Sequence, residues 1–243
     1  MNGDAMLRNH RRAFAWSFVL LVSAVAALFL VGRHPPELAP LTTVPAIGRF
    51  DTSMYTWMDD IRATPLTWLA RGLSVIGSGV VTIPLRAVAT IFLLWRRRMR
   101  QAIAFVLTWI TAEITIELLK HWFHRGRPSG ALVETVGYSF PSGHAVAASA
   151  TAVALVLAFF PPGERRRHWE WGAVAFSFVM AFSRVYLSAL WFSDVVAGTL
   201  LGSGIAVFWA AAVTEMRDVM FRSEGRPIPP DSAEPEPEEL LRG

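Results

Sequence analysis

Lys120, Arg127 and Arg184 stand at the ends of apolar stretches, each within a short polar run. Lys120 opens KHWFHRGRP, which closes on Arg127-Pro128. FPSGH, from Phe140 to His144, leads into another apolar stretch, and SRVYLSALWFSDVVAG, from Ser183 to Gly198, holds Arg184 and Asp194. These residue types suit a tetrahedral phosphate. Arginine supplies a planar fork of donors and lysine a point charge. Ser142, Gly143 and His144 sit where a helix is expected to begin. Backbone N–H groups there face an anion, and glycine lets it come close. A histidine in that place can give a proton to a leaving oxygen. The parts together fit phosphoryl transfer, in which positioning and charge neutralisation dominate. Each part alone has a plainer reading: Ser142 as an ordinary helix cap, and Arg-Gly-Arg-Pro as an interfacial loop. The ordered set is more specific than its pieces.

The segments that must position these residues are strongly apolar. The chain has 243 residues, 53% hydrophobic and 17% charged, with a mean hydropathy of +0.39. Long apolar runs broken by short charged loops indicate an all-α polytopic membrane protein. Six spans are expected, at about residues 13–32, 68–95, 101–119, 145–160, 171–187 and 194–213. The second is interrupted by Gly77, Gly79 and Pro84. RRRMR (Arg96 to Arg100) and PPGERRRH (Pro161 to His168) read as loops. MYTWMDDI, from Met54 to Ile61, reads either as a segment along the membrane surface or as an ordered loop with one short helix. Residues 33–65 also carry Pro35, Pro36, Pro40, Pro45 and Pro65. The organisation is a short cytoplasmic N-terminus (1–12), a six-helix membrane domain (13–214) and a cytoplasmic tail (215–243). The tail is rich in Pro and Glu and expected to be disordered after about residue 226. There are no cysteines, so thiolate and disulfide chemistry are absent.

Twenty-two of the 23 basic residues are arginine, and Lys120 is the sole lysine. They are dispersed between apolar spans, which argues for topology and against a nucleic-acid partner. The N-terminus, RRRMR and GERRRH all fall on one side of a six-span chain. That side should be cytoplasmic, as in a bacterial inner (plasma) membrane. Lys120, Arg125, Arg127 and Arg184 fall on the external side, against the rule. An anion bound by all four accounts for them.

The three motifs resemble those of the type 2 phosphatidic acid phosphatase and vanadium haloperoxidase superfamily. That pattern is Lys, six residues, Arg-Pro; Pro-Ser-Gly-His; and Ser-Arg, five residues, His, three residues, Asp. By motif the resemblance covers Lys120 to Asp194. It implies that Lys120, Arg127 and Arg184 hold a phosphate, that Ser142 and Gly143 complete the cradle, and that His144 is the general acid. It implies no metal and no cofactor. Asp194 would orient a nucleophilic histidine placed five residues after Arg184, and that position is Leu190. Leucine cannot attack phosphorus or take a proton. His121 and His124 lie nearby as substitutes that proximity alone suggests. The implied ligand is a membrane lipid phosphate or prenyl diphosphate, reached from the bilayer. Hydrolysis would be impaired at Leu190. The alternatives are a non-catalytic lipid-phosphate-binding or interaction protein, and an active phosphatase using a substitute histidine or water. Leu190→His is expected to restore turnover if residues 190 and 194 share a helical face.

Ionisable residues also occur within the spans. Glu113 and Glu117 are one turn apart, Lys120 follows on the same face, and Arg86 lies in the second span. Charges at such depth are costly and usually paired. An Arg86–Glu113 ion pair and a Glu117–Lys120 contact are expected, with a proton relay as the other reading.

Overall fold

The computed structural model describes residues 10–31 and 46–223, whose regular secondary structure is all helix, with no strand among them. Residues 1–9, the prolines at 35, 36, 40 and 45, and the tail from 224 on lie outside the described residues. Eight helices follow in order: α1 His10–Val31, α2 Ala46–Asp60, α3 Thr64–Ile76, α4 Gly79–Trp95, α5 Met99–Phe123, α6 Gly143–Phe159, α7 Glu164–Tyr186 and α8 Phe192–Ser223. Each of the six expected apolar segments coincides with a helix or, in one case, a helix pair. By length and composition α5 and the Phe192–Met220 part of α8 are sufficient to cross a membrane. The bent pair α3 and α4 makes a third candidate, and α6 is a shorter apolar helix.

The second segment divides where the sequence is interrupted. Pro65 starts α3, where its fixed φ fits the first turn, and Gly77 ends it. α4 resumes at Gly79 with a bend of 43°. A Cβ on Gly77 would overlap the Met180 side chain and lie 3.3 Å from the His144 ring. The bend thus brings backbone against the first turn of α6.

α6 forms the centre of the bundle. Its small residues, including Ala145, Ala148, Ala150 and Ala154, are buried along most of its length. α8 packs on it through glycines. A Cβ on Gly198 would stand 2.9 Å from the Ser142 carbonyl oxygen, and one on Gly202 would overlap the Val146 carbonyl and Ser149 Oγ. Close approach through small residues is how helices associate where neither lipid nor partner is more apolar than the other. α1 lies on the far side of α8, with Leu20 and Leu21 over Gly204.

Two boundaries differ from the sequence expectation. α7 begins at Glu164, so GERRRH is mostly helix rather than loop. Glu164 sits in the first turn, where the helix dipole favours a negative charge, and Arg166 reaches Glu170 one turn on at 2.7 Å. α2 is longer than the MYTWMDDI stretch and is anchored inward, with Asp51 and Met58 buried.

Candidate active site

Lys120 occupies the last turn of α5, and α6 starts opposite it. Ser142 is the N-cap: its Oγ accepts from the Ala145 N–H at 3.1 Å. The Ser142 N–H donates to the Asp194 carbonyl oxygen at 3.1 Å, tying the starts of α6 and α8 together. A Cβ on Gly143 would stand 3.8 Å from Lys120 Nζ, so the ammonium lies beside the helix start. Lys120, Gly143 and His144 line one end of a cavity of about 630 Å³. Its walls come from α4, α5 and α6 and include Ile83, Ile91, Trp109 and Ile116.

Arg184 comes from the last turn of α7 and is 5% exposed. One guanidinium nitrogen donates to Ser74 Oγ, while its buried Nε has no partner. Arg184, Lys120 and Arg127 all lie close enough to His144 for their charges to act on its ring. The charges of all three cations therefore reach the first turn of α6, and Lys120 lies against it.

Arg127 is committed differently from a free phosphate ligand. Its Nε donates to Gly137 O at 2.8 Å, one terminal nitrogen to Ala189 O at 2.8 Å, and the other to Val136 O at 2.9 Å and Tyr138 O at 3.1 Å. The side chain folds the α5–α6 loop around itself and fastens it to the segment before α8. Burial draws its pKa below the ordinary arginine value, and Asp194 opposes that shift. In this arrangement every Arg127 nitrogen is engaged by a backbone carbonyl.

Arg125 corrects the expectation that four external cations share one anion. It is fully buried, with one nitrogen on Asp51 Oδ2 at 2.8 Å, and the other on Ser193 Oγ at 2.8 Å and on Asp194 Oδ1. The Ser193 N–H donates to Asp51 Oδ1 at 2.8 Å. Its face lies 5.7 Å from the centre of the Trp191 ring, whose N–H donates to Gly126 O at 2.9 Å. Two carboxylates compensate the charge of the Arg125 guanidinium inside the protein, and a hydroxyl accepts a further hydrogen bond from it. The network joins α2, the α5–α6 loop and α8. Arg125 was visible in the sequence only as a cation beside a motif. Its partner Asp51 lies 74 residues away in a segment with no motif, so nothing local linked them.

Leu190 precedes α8 and is not on it, which corrects the expectation that positions 190 and 194 share a helical face. It is 4% exposed and belongs to an apolar cluster with Met58, Val185, Tyr186, Leu187 and Val195. Asp194 lies in the first turn of α8, where its Oδ2 accepts from the Trp191 N–H at 3.0 Å. That is the side-chain half of a capping box. His121 bonds its own helix at Glu117 O, 2.7 Å, and His124 caps α5 with its ring edge-on to Tyr138. Neither lines the cavity.

Deeper in the cavity, Arg86 donates to Glu113 at 2.7 Å, to Thr151 Oγ1 at 2.9 Å and to the Ala147 carbonyl at 3.3 Å. Glu117 lies 4.0 Å from Lys120 Nζ. Both expected contacts are present. The sequence did not indicate Ser74 and Thr151 as partners of the two buried arginines.

Comparison with known proteins places this geometry in a wider set. The PAP2 superfamily model matches residues 101–218. An undecaprenyl-diphosphatase of Sulfolobus acidocaldarius is 30% identical over 166 residues, covering 65% of this chain and 75% of that protein. Phosphatidylglycerophosphatase B of Bacillus subtilis is 28% identical over 151 residues, covering 58% and 72%. Among solved structures, the transmembrane PAP2-type phosphatidylglycerolphosphate phosphatase of Bacillus subtilis superposes with a TM-score of 0.63 at 21% identity, over 87% of this chain and 98% of that one. Aquifex aeolicus LpxE gives 0.56 at 22%, over 66% and 94%. At these identities the two structures speak for the fold.

Proposed function

We propose, for a chain that belongs to the PAP2 superfamily, that it binds the head group of a lipid phosphate or polyprenyl diphosphate and turns it over poorly or not at all. The relatives are named for activities on such lipids. In this reading six spans cross a membrane, both termini are cytoplasmic, and the cavity opens to the external leaflet. Lys120 and Arg184 hold the phosphoryl oxygens. Ser142 and Gly143 shape the helix start that receives them, and Arg127 adds charge. His144 stands where a general acid belongs, and Asp194 where a histidine's orienter belongs.

One observation carries the reading. Lys120, Gly143 and His144 line the cavity, with the Arg184 and Arg127 charges acting on His144, yet position 190 holds a leucine buried in an apolar cluster. Without a nucleophile no phosphoryl–enzyme bond can form, and positioning with charge stabilisation leaves only residual catalysis. Cation recognition of phosphate does not need that nucleophile, so binding persists.

Calorimetric titration of purified protein with vanadate at low salt, where charge contacts are least screened, tests the binding half. Saturable binding that is lost in Lys120→Ala is expected. No affinity for vanadate would sink the reading.

A further inference from the structure

α4 and α7 both pack on α6, and a groove of about 620 Å³ runs between them. α4 separates it from the candidate active site: Arg86 and Thr90 face that cavity, whereas Leu85, Ala89 and Phe92 face the groove. Every residue lining the groove is apolar or aromatic. Small residues make its floor. Ala89 and Ala173 are buried, and a Cβ added to Gly172 would meet nothing within 4 Å. Aromatic rings frame one end. Phe92 stacks on Phe159 with centroids 5.7 Å apart, and Phe160 on Trp169 at 4.9 Å. Along α4 from Leu85 to Phe92, and along α7 from Trp169 to Phe176, the groove is about 10 Å long at 1.5 Å per residue. An acyl chain segment fits that length.

The aromatic end also carries positive charge. Arg96 follows Phe92 by one turn, and its N–H still bonds the Phe92 carbonyl at 2.9 Å. Arg165 precedes Trp169 by one turn. Residues four apart share a helical face, so both arginines stand on the groove side of their helices, and both are exposed. Trp95 and Trp169 are exposed beside them, and tryptophan at the end of a span marks the head-group level of a bilayer. Residues 96–98 and 164–170 carry six arginines against two glutamates. One of those glutamates, Glu170, is held by Arg166 at 2.7 Å, so this end of the bundle stays net positive. Lipid chains of any kind can fill an apolar groove in a bilayer. Arginines at its end select among their head groups.

We infer that this groove is a binding site for an anionic phospholipid, whose acyl chain lies over α6 between α4 and α7 and whose phosphodiester sits on Arg96 and Arg165. A head group of net negative charge gains from both arginines, and one whose own cation offsets its phosphate does not. The site is distinct from the one that holds Lys120. In the orientation proposed above it faces the cytoplasmic leaflet, and only the choice of leaflet rests on that orientation.

Native mass spectrometry of the purified protein, released from detergent micelles at low ionic strength, tests it. The probes are dioleoyl phosphatidylmethanol, a phosphodiester with a negative charge, and dioleoyl phosphatidylcholine, with the same chains and no net charge. The parent protein is expected to bind the anionic lipid at least about tenfold more tightly. Arg96→Gln/Arg165→Gln is expected to bring the two affinities together. Gly172→Leu changes no charge and adds a side chain where the groove is open. By displacing two or more methylenes it is expected to weaken the anionic lipid at least about tenfold. Equal affinities in the parent overturn the inference. A preference that survives Arg96→Gln/Arg165→Gln overturns the placement of the phosphate. Unchanged binding in Gly172→Leu would mean that surface charge acts without the groove, and overturns the site. Loss of anionic-lipid binding in Lys120→Ala would put the lipid in the cavity between α4, α5 and α6, and overturns it as well.

Discussion

Asp194 has both carboxylate oxygens engaged inside the protein. Its carboxylate accepts from Arg125 and from the Trp191 N–H, and both bonds are internal. A carboxylate has about four lone-pair sites, so it can accept one more donor. Position 190 immediately precedes Trp191, whose N–H Asp194 holds, so a histidine there has to turn out of the apolar cluster to use that carboxylate. Leu190→His is therefore expected to raise phosphate release at least about tenfold over the parent, through a nucleophile with an orienting partner. It should also lower unfolding stability by about 1–3 kcal/mol, because a polar ring enters the apolar cluster around Leu190. Phosphate release from lipid phosphates, with thermal unfolding in detergent, checks both effects. Leu190→Gln is the suitable control, polar but unable to attack. Asp194→Asn is not, since it would also disturb the buried Arg125. At this scale the motif spacing singled out Lys120, Ser142, His144, Arg184 and Asp194, and the structure puts them at the end of α5, the start of α6, the end of α7 and the start of α8. Arg125 was grouped with the phosphate cations because its carboxylate partners depend on tertiary contact.

The helices place these side chains through bends, glycines and one ion pair. α5 carries Glu113, Glu117 and Lys120 along one face, and the sequence showed this through helical spacing. Its partner surface was less legible. The α3–α4 break brings Ser74 and Gly77 to the site, yet as sequence it read only as an interruption of a span. GERRRH read as a loop because its charge density resembles one, whereas the Arg166–Glu170 contact makes it the start of α7. The Arg86–Glu113 pair gives an element-scale prediction. Arg86→Leu leaves Glu113 unpaired within the bundle, and Glu113→Leu leaves Arg86 with only Thr151 and the Ala147 carbonyl. Each single change is expected to destabilise the protein by ~2 kcal/mol or more, and the double change by less than their sum. A double-mutant cycle on thermal unfolding measures the coupling. Additive effects would mean that the pair does not hold α4 to α5.

For the whole molecule, hydropathy located the apolar segments because burial in lipid demands long apolar helices. It did not show which helix becomes the centre. That place falls to α6, whose small residues admit α8 closely. The proposed orientation puts RRRMR inside and the α5–α6 loop outside. The chain has no cysteine, so single-cysteine variants report cleanly. Val136→Cys, at an exposed site in that loop, is expected to react with an impermeant maleimide in intact cells. Arg96→Cys is expected to react only after permeabilisation. The reverse pattern would invert the topology and place the cavity at the cytoplasmic leaflet.

The central claim is that this chain holds a lipid phosphate without efficiently cleaving it. It is tested most directly by measuring inorganic phosphate released by the purified, unaltered protein from a lipid phosphate at saturating occupancy, with binding recorded in the same sample. Saturable binding is expected, with release several orders of magnitude below that of a nucleophile-bearing phosphatase. Rapid release by the unaltered chain would contradict it, and would mean that catalysis at this site proceeds without a histidine at position 190.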